Sequence, residues 1–239
     1  MKFLKFDEID STNNYMKKNI TSFENYDIVS AKTQTSGRGR RGNTWLSPEG
    51  MALFSFLLKP EKTLSIIEAT KLPLLAGIST LSALKKIKDG AYSFKWTNDV
   101  FLNSKKLCGI LIERVKDNFI VGIGINVANK IPEDIKNIAI SLESDYDIDK
   151  LILKVVEEFS LYYEKFMSEK WLEIVEEINK KSKKHKITVS NVEWVGAKPY
   201  NTIRNSEPKD KIAKIEELHK YYKTLDIDGQ IKTFIKCWN

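Results

Sequence analysis

Three guanidinium groups and three glycines share six consecutive residues, Gly37-Arg38-Gly39-Arg40-Arg41-Gly42. Arginine presents a planar fork of donors that matches carboxylate and phosphate oxygens, and glycine lets backbone amides approach them closely, so the segment is suited to holding an anion. Arginine and glycine also build solvated or RNA-binding tails, but such tails lack a neighbouring core. Here apolar strand candidates lie on both sides, and Trp45 and Pro48 follow at once, which favours a ligand loop. The same six residues match G-x-G-x-x-G. The chain then runs into Asn43, Trp45, Pro48 and Gly50, which do not begin the helix whose N-terminus would receive a pyrophosphate. G-x-x-x-x-G-K-[ST] is absent, so a bound nucleotide would be held in some other way.

Three further clusters carry polar groups at the ends of apolar runs: Lys95-Trp96-Thr97-Asn98-Asp99-Val100, Lys106-Leu107-Cys108-Gly109-Ile110-Leu111-Ile112-Glu113, and Gly122-Ile123-Gly124-Ile125-Asn126-Val127. Each has a plain reading. Asn-Asp pairs commonly form turns, a lone Lys106 is an exposed strand-end residue, and glycines within a strand mark close approach by a neighbour or a ligand. His185 and His219 are the two histidines, neither near a cysteine or at helical metal spacing from an acid, so neither a zinc site nor a histidine-dependent triad is expected. Cys108 and Cys237 read as buried thiols rather than a disulfide framework.

The elements that must position these residues follow from periodicity and capping. Phe3 to Phe6 reads as a strand, Ser11 or Thr12 as the N-cap of a helix over TNNYMKKNI, Asp27 to Gln34 as a second strand, 35–50 as a loop, and Met51 to Lys59 as a strand within a covered sheet. Ser65 to Glu68 is a capping box opening a long helix to about Lys88, in which Pro73 should start a kink or a split. YSFKW, KLCGILIERV and NFIVGIGINV read as three strands, with Asn103-Ser104-Lys105 as the turn after the first, all adjacent and antiparallel. Asp147 to Ser168 and Glu169 to Lys183 are amphipathic helices. The main domain should span 1–184 and a small β-rich domain 185–239, with an Asp228-Gly229 hairpin and a helix near 208–222.

With 239 residues, 42% hydrophobic and 30% charged, the chain has the composition of an ordinary soluble protein, and no run reaches the roughly 18 to 20 apolar residues of a membrane span. The start, MKFLKFDEID, puts acids where a signal peptide keeps its apolar core, so a cytoplasmic protein without membrane attachment is expected. Most of the +7 net charge lies after residue 169, where 15 basic side chains face 10 acidic ones. Lysines interleaved with glutamates, as in KWLEIVEEINKKSKKHK, suit a solvated helix face better than nucleic-acid binding.

Taken together, Ser11-Thr12-Asn13 after a first strand, Gln34 before GRGRRG with Trp45 after it, KWTNDV, KLCGILIE and GIGINV follow the order and approximate spacing of the biotin-protein ligases, and the chain resembles that family over about residues 1 to 130. The resemblance implies an α+β fold, a mixed and largely antiparallel sheet flanked by helices and related to class II aminoacyl-tRNA synthetases, with a small SH3-like C-terminal domain. It implies ATP- and Mg²⁺-dependent attachment of biotin, through biotinyl-5′-adenylate, to a lysine of a biotin carboxyl carrier protein or domain, by a homodimer. Carried over residue by residue, Ser11, Thr12, Asn13, Gln34 and Gly109 fall in the biotin pocket. Arg38, Gly39 and Arg40 hold the carboxylate and the adenylate phosphate, and Lys106 stands between carboxylate and α-phosphate. Arg41, Trp45, Asn98 and Asn126 belong to the nucleotide side, and Asp99 would orient or deprotonate the acceptor amine.

Departures are Thr97 where the family usually has proline and Asn43 where arginine is frequent; the tail matches least, with DIDGQI its familiar piece. A lipoate- or octanoate-protein ligase of related fold is the nearest rival, against which GRGRRG-x-x-W with KWTND argues. A biotin-responsive regulatory protein would need a DNA-binding domain before a catalytic strand that already begins at residue 3, so DNA is not expected as a partner. A non-catalytic binding module would not need Arg38, Lys106 and Asn126 at their spacing.

Overall fold

A seven-stranded sheet organises the described part of the computed structural model, which comprises residues 1–95 and 98–181. In chain order the elements are β1 (Phe3–Ile9), α1 (Thr12–Lys18), β2 (Ile28–Gln34), β3 (Met51–Leu58), α2 (Ile66–Ile87), β4 (Tyr92–Lys95), β5 (Asp99–Leu102), β6 (Lys105–Val115), β7 (Asn118–Asn126), α3 (Ile148–Met167) and α4 (Trp171–Lys181). The strands lie in the order β1-β2-β3-β7-β6-β5-β4, with β1 and β2 parallel and every other pairing antiparallel. The expected mixed, largely antiparallel sheet with flanking helices is thus what the chain forms. Trp96, Thr97, His185, His219, Cys237, the second domain, its hairpin and the 208–222 helix lie outside the described residues.

Alternation along the central strands assigns each face its partner, because successive side chains of a strand point to opposite sides. Ala52, Phe54, Phe56 and Leu58 of β3 and Phe119, Val121, Ile123 and Ile125 of β7 join the main core with α2, α3 and α4. Leu57 and Ile120 belong instead to a smaller cluster with Met16 of α1, Phe23 and Val29. The latter face is therefore covered by the short helix α1 beside β2, and the remainder of it is left for a site. Within the main core, Phe56 and Phe159 meet edge to face at 4.9 Å, locking α3 onto the sheet.

Two expectations need correction. Asn98 lies in a turn, but Asp99 opens β5, which pairs with both β4 and β6 and so separates strands expected to be neighbours. The flanking Asn98-Asp99 and Asn103-Ser104-Lys105 both read as turns, which conceals the short strand DVFL. The following turn is carried by Asn103 and Ser104, both at positive φ, while Lys105 already belongs to β6. Pro73 does not split α2, which runs as one helix from the Ser65 capping box to Ile87. The bond that Pro73 cannot donate is offset by its flanking residues Leu72, Leu74 and Leu75, each no more than 1% exposed.

Cys108 is fully buried on β6, and burial pushes its thiol well above the usual range, as expected for an inert core thiol. The Phe56–Phe159 contact gives a stability prediction. Phe159→Ala should lose about 3 to 5 kcal/mol of unfolding free energy in urea titration, and a loss under about 1 kcal/mol would mean that α3 is not fastened there.

Candidate functional site

On the α1-bearing face of the sheet the strand register brings together three rows of residues. Leu53 of β3, Gly124 of β7, Gly109 of β6 and Asp99 of β5 are successive cross-strand partners. Ser55, Gly122 and Leu111 form the next row, and Leu57, Ile120 and Glu113 the third. A cleft of about 500 Å³, its mouth included, opens over this face between α1 and the arginine loop.

The floor is open because glycines leave it so. A Cβ on Gly109 would come within 2.9 Å of Trp45 Cζ3, and one on Gly124 would collide with Trp45 Nε1, so the indole lies flat across two paired glycines. One row away, a Cβ on Gly122 would collide with the Asn13 amide. Glycine is thus needed here for approach rather than for backbone freedom.

The arginine loop is a small hairpin. Arg38 and Thr44 form an antiparallel bridge, Trp45 N donates to Gly37 O at 2.9 Å, and a 3-10 turn at Arg40–Gly42 reverses the chain, with Gly42 at φ +79°. Arg38 Nη1 donates to Asn14 Oδ1 at 2.9 Å and to both carboxylate oxygens of Glu113 at 3.2 Å. Arg40 Nη1 donates to Asn98 Oδ1 at 2.8 Å, and Asn98 Nδ2 in turn donates to Ile110 O at 3.1 Å. Lys106 Nζ lies 2.8 Å from the buried Asp99 Oδ1, an ion pair off the hydrogen-bond line, and 5.1 Å from the Trp45 ring centroid. The backbone of Lys106 is fixed by the segment crossing β6: Lys106 N donates to Ile138 O, and Ile140 N to Lys106 O.

At the other end of the cleft a polar chain runs beneath α1. Gln34 Oε1 accepts from Thr12 N at 2.8 Å, and Gln34 Nε2 donates to Ser47 Oγ at 3.0 Å. Ser55 Oγ lies 2.7 Å from Thr12 Oγ1 and 2.6 Å from Asn13 Oδ1, and Asn13 Nδ2 donates to Glu113 Oε2 at 2.9 Å. Asn13 Oδ1 and Gln34 Oε1 can only accept, so Ser55 shares its one hydrogen between Asn13 Oδ1 and Thr12 Oγ1, while Thr12 Oγ1 donates to Gln34 Oε1 at 3.2 Å. The side chain most central to this chain is therefore oriented from two sides.

Ser11, Thr12, Asn13, Gln34, Arg38, Gly39, Arg40, Trp45, Asn98, Lys106 and Gly109 all line the cleft. Asp99 stands behind Lys106. Asn126 is at the end of β7; its Nδ2 donates to Ile140 O and its Oδ1 accepts from Asn129 Nδ2. Arg41 lies in the 3-10 turn of the loop. Four residues that hydrogen-bond side chains of the lining carried no expectation from sequence: Asn14, Ser47, Ser55 and Glu113. An acid and a hydroxyl on the same faces as Gly109 and Gly122, within otherwise apolar strands, would have been the signal.

The glycine floor makes a direct prediction. Gly124→Ala should unseat the indole, changing the emission of Trp45 relative to a Trp45→Phe control while shifting the thermal midpoint by less than about 4 °C. Unchanged Trp45 emission would show that the ring is not seated there.

Residues 5–128 match the biotin/lipoate A/B protein ligase family. The biotin protein ligase from Aquifex aeolicus in complex with biotin and ATP superposes with a TM-score of 0.69 at 38% identity, covering 76% of this chain and 78% of that one. Among curated relatives, the bifunctional ligase/repressor BirA of Salmonella typhimurium is 33% identical over 175 residues, 67% of this chain and 54% of that protein. The biotin--[acetyl-CoA-carboxylase] ligase of Paracoccus denitrificans is 34% identical over 126 residues, 50% of this chain and 52% of that protein. The matched part thus spans about half the length of these two curated relatives. With a family match covering more than half of its residues, the chain belongs to the biotin/lipoate A/B protein ligase family.

Proposed function

We propose that this cleft joins biotin to ATP and passes the activated acid to a lysine of a biotin carboxyl carrier protein or domain. The observation that carries the reading is the convergence of Arg38, Arg40 and Lys106 on one cleft whose other end is lined by the uncharged side chains of Ser11, Thr12, Asn13 and Gln34. The neutral end, from Ser11 to Asn13 with Gln34, suits a ureido head that both donates and accepts. Apolar sheet residues such as Leu53 and Leu111 suit the acyl chain.

The first step brings a carboxylate oxygen to the α-phosphorus of ATP, forming a C–O–P anhydride as the bond to pyrophosphate breaks. Two anions repel on approach, so fixed cations aimed at both reduce the barrier. Arg38 and Arg40 come from the loop and Lys106 from the sheet, so the charge surrounds the reacting pair. In the second step the acceptor amine attacks the acyl carbon and AMP leaves. The Asp99 carboxylate, 2.8 Å from Lys106 Nζ, would orient or deprotonate that amine. The hairpin loop, closing over the mixed anhydride, limits its loss to water.

Among the described residues no group of three or more His, Cys, Asp or Glu side chains is assembled that could hold a metal ion. In this reading Mg²⁺ enters on the triphosphate of ATP. No helix among the described residues is long and apolar enough to cross a membrane. The same reading takes residues 185–239 as a small separate domain and the protein as a homodimer through a sheet edge, for which β1 and β4 are the ends of the sheet. A single monomeric species in sedimentation, with and without biotin and ATP, would refute the dimer.

Biotin-dependent exchange of labelled pyrophosphate into ATP should be observed, and Lys106→Ala should reduce it by at least about 100-fold with thermal unfolding nearly unaltered. Exchange supported by lipoate or octanoate and not by biotin would favour the sister activity. A folded Lys106→Ala protein with full exchange would remove Lys106 from the chemistry.

A further inference from the structure

Glu113 is the acid on β6 that neither the motif reading nor the adenylation chemistry uses, yet it touches both halves of the site. Its side chain is only 15% exposed. Its Oε2 accepts from Asn13 Nδ2 in the neutral pocket, and both oxygens accept from Arg38 Nη1 on the loop. Asn14, next to Asn13 on α1, supplies a further acceptor to the same Nη1, and Asn14 Nδ2 is itself held by Asp10 at 3.2 Å. Lys17 Nζ approaches Glu113 from the rim of α1 at 3.7 Å. A carboxylate this far from water is costly to keep charged unless it is paired, and Arg38 is the nearer and better aligned of its two cations.

We infer that Glu113 is a positioning residue that docks the arginine loop onto the sheet by anchoring Arg38 through Nη1 and shares its carboxylate with Asn13. Among the described residues all hydrogen bonds of Arg38 pass through Nη1, so Nη2 and Nε stay available to an incoming carboxylate or phosphate. The anchor thus orders the loop without using up the groups that would meet a substrate. Its energetic role is to raise the fraction of molecules in which the loop is docked. Apparent affinity for a ligand of the docked form scales with that fraction.

The test is Glu113→Gln, which keeps the shape and removes the charge. In protein without substrates, trypsin should cut after Arg40 and Arg41 roughly ten-fold faster than in the wild type, with cleavage at the lysines of α3 as the internal control for global unfolding. Wild-type loop cleavage should accelerate with added salt and that of the variant should not, because the anchor is an ion pair. In an Arg38→Met background the Glu113 change should add nothing, since its effect passes through Arg38.

This inference rests on the adenylation reading only in its kinetic arm. There KM for biotin in pyrophosphate exchange should rise roughly ten-fold while kcat falls less than about three-fold. Loop cleavage at the wild-type rate, or an equal further acceleration in the Arg38→Met background, overturns the anchor whatever acid the cleft activates. Intact anchoring with no biotin-dependent exchange in the wild type would overturn the adenylation reading alone. If Glu113→Gln fails to fold, Asn14→Ala removes the other Nη1 acceptor, and loop cleavage no faster than the wild type's then counts against the anchor.

Discussion

Like charges repel, and this cleft brings Arg38, Arg40 and Lys106 to one place. Two cations about 5 Å apart cost several kcal/mol wherever water is partly excluded. Each of the three is met by a different acceptor from a different element: Arg38 by Glu113 on β6 and Asn14 on α1, Arg40 by Asn98 at the β4–β5 turn, and Lys106 by Asp99 at the head of β5. Bringing these acceptors under one loop demands that α1, β5 and β6 stand at fixed mutual positions. That requirement connects the long hydrophobic core to the chemistry, because the core is what holds the sheet rigid enough to place them.

The sheet meets the requirement by giving its two faces different duties. One face carries an uninterrupted apolar layer against α2 and α3. On the other, the central rows hold glycine at 109, 122 and 124 and a hydroxyl at Ser55, so the surface is low and polar where a ligand or an indole must lie. Filling those positions with methyl-bearing residues would bury more apolar area and would close the site. Stability given up at the cleft is offset across the sheet, where aromatic residues of β3 and α3 interlock.

Most strands were legible from alternation or apolar runs, down to the four residues of β4, and α1 and α2 where Ser11 and Ser65 act as caps. β5 was not, because Asn98-Asp99 before it and Asn103-Ser104-Lys105 after it read as turns, and its existence is decided by hydrogen bonds to strands on either side. The continuity of α2 through Pro73 was likewise beyond local reasoning, since burial of the surrounding leucines outweighs a single missing bond. Among cleft residues, the motifs disclosed the conspicuous types, arginine, glycine, lysine and asparagine. Ser55 and Glu113 lie inside apolar strands, and only their shared face with Gly122 and Gly109 marks them, a relation that depends on strand register.

By itself the sequence determined what kinds of groups are available and in what order they occur: an arginine-glycine turn, a lysine opening a strand, a run of serine, threonine and asparagine at a helix start. Those are local properties, written in residue type and spacing. Tertiary structure alone decided who faces whom: that Lys106 would sit against Asp99, that Glu113 would lie between Asn13 and Arg38, and that Asn126 would reach Ile140. These partners are 7 to 100 positions apart in the chain. Their meeting depends on strand register, and register is chosen by the burial of the whole sheet rather than by any segment of it.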